Sequence, residues 1–285
     1  MEHDLIGKVF LVTGATEGIG KAAARDFARR GATLVLVGRN PAKTAQVKAE
    51  IAAEGGPAPV ETIVGDLALL AEVRRVAAEF RARHDRLDVL VNNAGAVFDQ
   101  RQVTAEGIEM TFALNHLGHF LLTHEVRGLL EQTPGARVVS TSSGAHRMGN
   151  FDFDDLVKRE KVYGSFQVYG DSKLANILFT RELARRLQPA GVVANCFHPG
   201  MVQTGFALNG RGLTYLMVKL SYWAIARTPE QGAETLIWLA TSPEAATKSG
   251  EYFYNCRVAR TSKVAKDPAL AARLWGLSEQ LCGLQ

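Results

Sequence analysis

Short apolar runs and longer amphipathic stretches alternate along the chain, and this alternation predicts both the elements and their arrangement. Runs of strand type lie at Val9–Val12, Thr33–Val37, Val60–Val64, Asp88–Asn92, Arg137–Thr141 and Val192–Phe197, with a weaker one at Tyr252–Tyr254. Helical patterns cover Lys21–Arg30, Pro41–Glu54, Leu69–Arg83, Thr104–Glu131 and Phe166–Leu187. Several strand runs are continuously apolar rather than alternating, which is typical of a parallel sheet covered on both faces.

Strands that alternate with helices predict right-handed βαβ units. The predicted fold is therefore α/β, with one doubly wound, Rossmann-type parallel sheet and helices on both faces. No repeat, low-complexity tract or proline-rich linker divides residues 1–285, so we expect a single domain. Ligands bind beyond the carboxyl ends of the strands in such a sheet. Polar and turn residues follow the predicted strands there, at Arg39, Asp66, Asn92 to Gly95, Ser142 to Ser143 and His198 to Gly200.

The first predicted strand leads into a glycine-rich turn and then a helical pattern, an order typical of nucleotide-binding sites. The spacing is G-x-x-x-G-x-G and not the commoner G-x-G-x-x-G. Glycines let the backbone approach a pyrophosphate, whose charge is favoured by the amides at a helix N-terminus. Glycines that merely tighten a strand-to-helix turn are the alternative. The candidate cofactor residues of this turn are Gly14, Thr16, Glu17, Gly18, Ile19 and Gly20.

Tyr169 and Lys173 are four residues apart in a predicted helix, so their side chains share one face. A cation beside a phenol favours the phenolate and lowers a pKa that is about 10 without neighbours. The pair is thus suited to exchanging protons near neutral pH, with a serine at Ser142 or Ser143 to hold a polar substrate atom. Such pairs also arise by chance on solvated helices. The hypothesis of a catalytic pair therefore depends on the nucleotide-binding pattern in the same chain.

The composition is that of a globular protein, with 47% hydrophobic residues and a formal net charge of +4 whose signs are interspersed. Because no dense basic stretch occurs, we expect no nucleic-acid partner. Cys196, Cys256 and Cys282 are far apart and lack metal-ligand spacing, which predicts ordinary thiols of a reducing compartment and no metal site. Residues 1–8 show neither a signal-peptide nor an anchor pattern, so we expect a cytoplasmic protein.

Together these motifs resemble the short-chain dehydrogenase/reductase family, from Lys8 to about Phe253. The stretch from Ser143 to Tyr169 is similar to the retinol dehydrogenase and WW-domain oxidoreductase branch. The resemblance implies four catalytic positions, at Asn115, Ser143, Tyr169 and Lys173, with Asn115 holding a water molecule that relays protons through Lys173. It also implies cofactor contacts at Asp66, Leu67, Asn93, Ala94, Gly95, Tyr169, Lys173, Pro199, Gly200, Val202 and Thr204.

The end of the second strand bears on the choice of cofactor. An NAD site normally has an acid there, which binds the ribose 2′-hydroxyl and would repel a 2′-phosphate. Here Arg39 occupies this end and no acid does, and a guanidinium suits a phosphate. A solvated surface arginine is the alternative, and the nearby Glu17 would weaken phosphate binding. We therefore expect NADP(H) in preference to NAD(H), and the resemblance implies the same.

Residues 205–228 combine glycines with an apolar helical stretch, which predicts a mobile lid over an apolar substrate pocket. Packing on the core, on a partner subunit or on a membrane surface is the alternative. The stretch is too short, and too interrupted by Lys219, to be a transmembrane segment. The resemblance implies a homodimer or homotetramer and small apolar aldehydes, ketones or alcohols as substrates, retinaldehyde among them.

The histidines add two minor hypotheses. His116, His119 and His124 share one helical pattern, but no carboxylate or cysteine completes a metal site with them. His146 and His198 lie near the predicted site and are candidates for substrate contact. Two other functions stay open beside the NADP(H)-dependent oxidoreductase: a non-catalytic NADP(H)-binding regulatory protein, and an NAD-dependent alcohol or steroid dehydrogenase.

Overall fold

The computed structural model describes residues 3–160, 163–202 and 226–284. Within them lies an eight-stranded sheet formed by β1 Val9–Thr13, β2 Thr33–Gly38, β3 Val60–Val64, β4 Val89–Asn92, β5 Arg137–Thr141, β6 Val193–Phe197, β7 Tyr252–Tyr254 and β8 Arg257–Val258. The strand order is β3-β2-β1-β4-β5-β6-β7-β8. Neighbours from β3 to β7 are parallel, and β8 pairs antiparallel with β7. The order of strands therefore reverses between β1 and β4, where such sheets open a crevice.

Helices cover both faces of this sheet. They are α1 Gly18–Arg29, α2 Pro41–Ala53, α3 Leu70–Arg83, α4 Met110–Phe112, α5 Gly118–Glu125, α6 Arg127–Gln132, α7 Ser165–Leu187, α8 Pro229–Thr241 and α9 Pro268–Leu281. One apolar cluster includes α3, α5, α7 and α9, and the other includes α1, α2 and α8. Alternate strand residues enter opposite clusters, as Leu11 and its neighbours Phe10 and Val12 do. The doubly wound α/β fold predicted from the sequence is confirmed.

Side-chain caps fix where several helices begin. Asn40 accepts a hydrogen bond of 3.0 Å from the amide of Lys43 at the start of α2. Thr228 and Gln231 form a reciprocal capping box at α8, and Asp267 accepts from the first-turn amides of α9. These bonds satisfy amide groups that have no partner within the helix. The sequence-based prediction contains neither α8 nor α9, although both cap signatures are legible in the sequence.

The continuous helix predicted over Thr104–Glu131 is wrong. The chain becomes helical only with α4, passes through a π-helical turn at Ala113–Leu117, and then continues as α5 and α6. The carboxylate of Glu109 accepts from the amide of Phe112 at 2.8 Å and fixes the helix start. A π turn inserts one extra residue per turn and occurs often at functional sites. Asn115 lies in this turn and is fully buried.

Candidate active site

Residues beyond the carboxyl ends of β1 to β6 line one cleft of about 840 Å³ where the strand order reverses. The sequence-predicted residues among them are Gly14, Thr16, Glu17, Gly18, Ile19, Arg39, Asp66, Leu67, Asn93, Ala94, Gly95, Ser143, Tyr169, Lys173, Pro199, Gly200 and Val202. Gly20 and Asn115 lie directly behind this lining, next to Gly14 and Gly95 respectively. Thr204 and residues 205–225 of the predicted lid lie outside the described residues.

The glycine-rich turn leaves no room for side chains at two positions. Gly14 has a φ of +62°, and a Cβ there would come within 2.8 Å of the Cα of Ala94. A Cβ on Gly20 would collide with the carbonyl oxygen of Gly14. The side chain of Glu17, the residue before α1, makes no capping bond to the helix. The first-turn amides of α1 are thus available to an anion, and the turn fits a pyrophosphate.

Asn93 holds the ends of three strands together under the cleft. Its side-chain amide donates to the carbonyl oxygens of Thr13 at 3.2 Å and Gly14 at 3.1 Å. Its side-chain oxygen accepts from the hydroxyl of Thr141 at 3.1 Å. Asn93 therefore links β1, β4 and β5, and it fixes the glycine-rich turn relative to the strand that leads to Ser143.

Tyr169 and Lys173 lie one turn apart on α7, as predicted. The Lys173 ammonium nitrogen lies 5.4 Å from the centre of the Tyr169 ring and donates to the carbonyl oxygen of Thr141 at 3.3 Å. Lys173 is buried, and this loss of solvent lowers its pKa to about 7. A lysine with this pKa changes its charge near neutrality, so the pair is equipped to take up and release a proton.

Ser143 begins the 3₁₀ turn that follows β5. Its hydroxyl oxygen accepts from the amide of Ala145 at 3.2 Å, which orients the hydroxyl. Ser142 differs, because its hydroxyl donates to the carbonyl oxygen of Lys173 at 2.8 Å inside the protein. Ser143 lines the cleft, half-buried, whereas the Ser142 side chain is committed to holding β5 against α7.

The carboxamide of Asn115 is bonded on both sides. Its oxygen accepts from the amide of Ala96 at 2.8 Å, and its nitrogen donates to the carbonyl oxygen of Ala96 and the hydroxyl of Ser172, both at 3.0 Å. A Cβ on Gly95 would lie 3.0 Å from the Asn115 oxygen and 3.6 Å from the Lys173 nitrogen. Asn115 thus supports the backbone beside Lys173. The sequence does not reveal that Ala96 and Ser172 are its partners.

Two cationic side chains lie near the end of β2, each in an ion pair with a carboxylate. Arg39 lies 3.7 Å from Asp66, and its side chain is 70% exposed at the cleft edge. Lys43, in the first turn of α2, lies 2.6 Å from the carboxylate of Glu17. Lys43 is absent from the residues predicted for this site. The signal was its position in the first turn of the helix that begins two residues after Arg39.

An apolar rim borders the half of the cleft that contains Tyr169. Met148, Phe166 and Met201 line the cleft with exposed fractions of 48%, 69% and 54%. They come from three separate segments of the chain, so no periodicity in the sequence identifies them as a group. Large exposed apolar side chains of this kind mark sites that bind apolar ligands.

Two of the three helix-borne histidines, His116 and His119, are structural. His116 contacts Asn176 and Ser278, and His119 lies 2.8 Å from the carbonyl oxygen of Ala94. Burial lowers their pKa values to about 4 and about 3. Across the residues that the structure describes, no three metal-ligating side chains come together. No helix in the same residues combines the length and apolar character that a membrane crossing requires.

The doubly wound sheet and the glycine-rich turn at its switch point place the chain among dinucleotide-binding α/β proteins. The family model of short chain dehydrogenases matches residues 8–211. Human retinol dehydrogenase 14 is 42% identical over 98% of this chain and 87% of its own length. The chain therefore belongs to the short-chain dehydrogenase family and resembles its retinol dehydrogenases. It is an oxidoreductase that uses a nicotinamide dinucleotide to interconvert alcohol and carbonyl groups.

Two solved structures illustrate this relationship. A crystal structure of an uncharacterised protein from Mycobacterium paratuberculosis superimposes with a TM-score of 0.78 and 34% identity, covering 98% of this chain and 95% of that one. A short chain dehydrogenase from Burkholderia cenocepacia J2315, crystallised with NADP, has a TM-score of 0.68 and 27% identity over 87% of this chain and 96% of its own. The family identified from the sequence motifs is confirmed.

Proposed function

We propose that the protein is an NADP(H)-dependent oxidoreductase that interconverts apolar aldehydes or ketones and their alcohols. One observation carries this proposal: Ser143, Tyr169 and Lys173 line the same cleft as the glycine-rich turn of a dinucleotide site. The phenol acts as the acid or base at the reacting oxygen. The serine hydroxyl donates a hydrogen bond to that oxygen and stabilises the charge that develops on it.

Lys173 supports the phenol in this scheme. Its ammonium is withdrawn from water, so its field acts strongly on Tyr169, whose ring centre is 5.4 Å away. The positive charge favours the phenolate, and the pKa of about 7 lets Lys173 pass on a proton afterwards. Asn115 acts through position, because its bonds to Ala96 hold the backbone against which the lysine lies. Its water-holding role stays a prediction.

Residues already described would hold the cofactor. The amides after Gly14 would bind the pyrophosphate, Asp66 the adenine and Lys173 the ribose of the nicotinamide, with Pro199 and Gly200 beside the ring. The bound cofactor would supply or accept the hydride. Arg39 and Lys43 would bind the 2′-phosphate, which favours NADP(H) over NAD(H). The NADP complex of the Burkholderia cenocepacia relative supports this choice.

The apolar rim supports an apolar substrate. Met148, Phe166 and Met201 would cover a hydrocarbon chain or ring, which favours such substrates by about 25 cal/mol for each Å² withdrawn from water. Retinol dehydrogenase 14, the human relative, is named for a substrate of this type. The cytoplasmic location, the homodimer or homotetramer, and the roles of Thr204 and residues 205–228 stay predictions.

The test is an absorbance assay with NADPH and NADH, run separately on retinaldehyde, long apolar aldehydes and cyclic ketones. We expect NADPH oxidation, and we expect Tyr169→Phe to lower kcat about 10³-fold while the Kd for NADPH changes less than twofold. Tyr163→Phe is the matched control, because that hydroxyl donates to the carbonyl oxygen of Phe98 instead. Retained turnover in Tyr169→Phe would refute the scheme. Tight NADPH binding without turnover of any compound would favour the non-catalytic regulatory protein. A preference for NADH would favour the NAD-dependent dehydrogenase.

A further inference from the structure

His198 is held in a fixed orientation at the end of β6. Its backbone amide donates to the carbonyl oxygen of Phe253 at 2.9 Å. Its ring stacks on that of Tyr254, with centroids 5.1 Å apart and planes inclined by 24°. Both partners belong to β7, so the neighbouring strand and not the cleft determines where this ring lies. A ring positioned in this way presents its polar atoms in defined directions.

The bond at one ring nitrogen determines which nitrogen carries the proton. Nδ1 of His198 accepts from the amide of Gly200 at 3.3 Å, so Nδ1 has no hydrogen and the neutral ring is protonated at Nε2. Burial, with a smaller contribution from His146 and nearby arginines, lowers the pKa of His198 to about 4. The ring is therefore neutral at ordinary pH and offers one hydrogen-bond donor, Nε2–H.

This donor faces the segment that follows Ser143. A Cβ built on Gly144 would be 3.5 Å from Nε2, and Gly144 directly follows Ser143 in the chain. The donor therefore faces the residue that follows the serine proposed to bind the carbonyl oxygen. His198, Gly144 and Ser143 all line the cleft. In the part of the chain that the structure describes, no group accepts from Nε2.

His146 shows the contrast. It follows the same serine, but it contacts the carbonyl oxygen of Ser143 at 2.7 Å through Nδ1 and accepts from the amide of Ser262 at 3.3 Å through Nε2. Both of its nitrogens are occupied within the protein. Of the two histidines near the reacting centre, His198 is the one with a donor left for a ligand.

We propose that His198 is a specificity-determining residue whose Nε2–H binds an oxygen atom on the carbon next to the reacting carbonyl. The enzyme then prefers carbonyl compounds with an ether, hydroxyl or second carbonyl oxygen at that position. A purely hydrocarbon substrate would displace water from this donor and leave it without an acceptor, which opposes binding. This inference rests on the carbonyl chemistry proposed above and adds a polar requirement to the apolar rim.

The experiment compares two aldehydes of the same shape, benzyloxyacetaldehyde and 4-phenylbutanal, in which an ether oxygen replaces one methylene group. The measured quantity is the ratio of their kcat/KM values with NADPH. His198→Phe keeps the stacking ring and removes the donor, and we expect it to lower this ratio about tenfold. His198→Gln places an amide nitrogen near the position of Nε2, and we expect it to keep at least a third of the wild-type ratio.

Two further variants guard the interpretation. His198→Asn has its amide near the position of Nδ1 and not of Nε2, so its ratio should fall as in His198→Phe even if the latter fails to fold. His124→Phe, on α5 and outside the cleft, should leave the ratio unchanged. If the ratio is unchanged in both His198→Phe and His198→Asn, or if kcat/KM falls equally for the two aldehydes, the inference about His198 is wrong. The proposed function would still stand in that case. A wild type that turns over neither aldehyde nor any other carbonyl compound would overturn the proposed function itself.

Discussion

The guanidinium of Arg159 donates to the carboxylate of Asp171 across 2.5 Å, and both side chains are buried, with 7% and 1% exposed. The same carboxylate accepts from the amide of Asn150 at 2.6 Å and from the side chain of Gln167 at 3.0 Å. Asp171 stands between Tyr169 and Lys173 on α7. The ion pair therefore fastens the segment after Ser143 to the helix that carries the proposed acid and its lysine.

Breaking this ion pair from one side should destabilise the protein strongly. Arg159→Met leaves the carboxylate of Asp171 buried without its cation, and we expect the free energy of unfolding to fall by about 3 to 5 kcal/mol. Adding Asp171→Leu removes the stranded charge and should restore at least half of that loss. Urea unfolding measures both. Glu131→Gln, in the exposed pair with Arg127, is the control and should cost under about 0.5 kcal/mol. A change below about 1 kcal/mol in Arg159→Met would contradict the buried pair.

The charges around the end of β2 should determine cofactor preference. Arg39→Ala should raise the KM for NADPH about tenfold and the KM for NADH less than twofold, because only NADPH carries the 2′-phosphate. Glu17→Gln should lower the KM for NADPH several-fold, because it releases Lys43 from its 2.6 Å ion pair. Steady-state kinetics with each cofactor measures both effects. Arg29→Ala, at the exposed end of α1, should change neither value. Equal effects on NADPH and NADH would argue against the phosphate site.

The buried charge of Lys173 should lower the free energy of unfolding, and more so at a pH where the lysine is protonated. Burial lowers its folded-state pKa to about 7 from its ordinary value of 10.5, so the unfolded chain binds more protons between these pH values. The stability of the wild type should therefore rise with pH across that window. Lys173→Met has no ionisable group here, so the free energy of unfolding of the variant minus that of the wild type should be about 2.5 kcal/mol larger at pH 6 than at pH 9.

Urea unfolding of the cofactor-free proteins at the two pH values measures this difference. The variant should also lose turnover, since the charge that acts on Tyr169 is gone. An advantage of equal size at pH 6 and pH 9 would mean that Lys173 keeps an ordinary pKa in the folded protein.

Two glycine substitutions should have opposite effects. Gly14→Ala requires a residue with a side chain at a φ of +62°, with its Cβ within 2.8 Å of the Ala94 backbone. We expect the free energy of unfolding to fall by about 1 to 3 kcal/mol. We also expect NADPH binding to become undetectable. Gly128→Ala lies in α6 with nothing within 4 Å and should add about 0.5 to 1 kcal/mol, as alanine does in an exposed helix. Thermal unfolding and NADPH fluorescence distinguish them, and NADPH binding by Gly14→Ala would refute the close approach of the turn.

The hydrophobic pattern predicts the sheet well, because its strands are buried on both faces and so appear as unbroken apolar runs. The strand predicted at Val9–Val12 is extended by Thr13, and that at Val192–Phe197 begins one residue later. The clustering of Gly14, Asn93 and Ser143 followed from a general property of parallel sheets, whose carboxyl ends share one edge.

The hydrophobic pattern does not predict contacts between segments that are far apart in the sequence. Nothing local indicates that Asn115 would bond to Ser172, 57 residues later, or that Arg159 would meet Asp171. The same applies to the helical region before β5, where a buried cap and a π turn override the periodicity. The helices α8 and α9, in contrast, could have been predicted from local sequence. Their starts are marked by Thr228 with Gln231 and by Asp267 with Pro268.

The contact between His116 and Ser278 spans 162 residues and joins the turn that carries Asn115 to α9. During synthesis on the ribosome, α9 is the last of the described elements to be made. The helix that contacts the turn from below is therefore added after every other described element. Contacts of such long range are also slow to form, because a large loop must close first. A nascent chain that ends before α9 thus already contains the glycine-rich turn, but it still lacks the contact that supports the turn with Asn115.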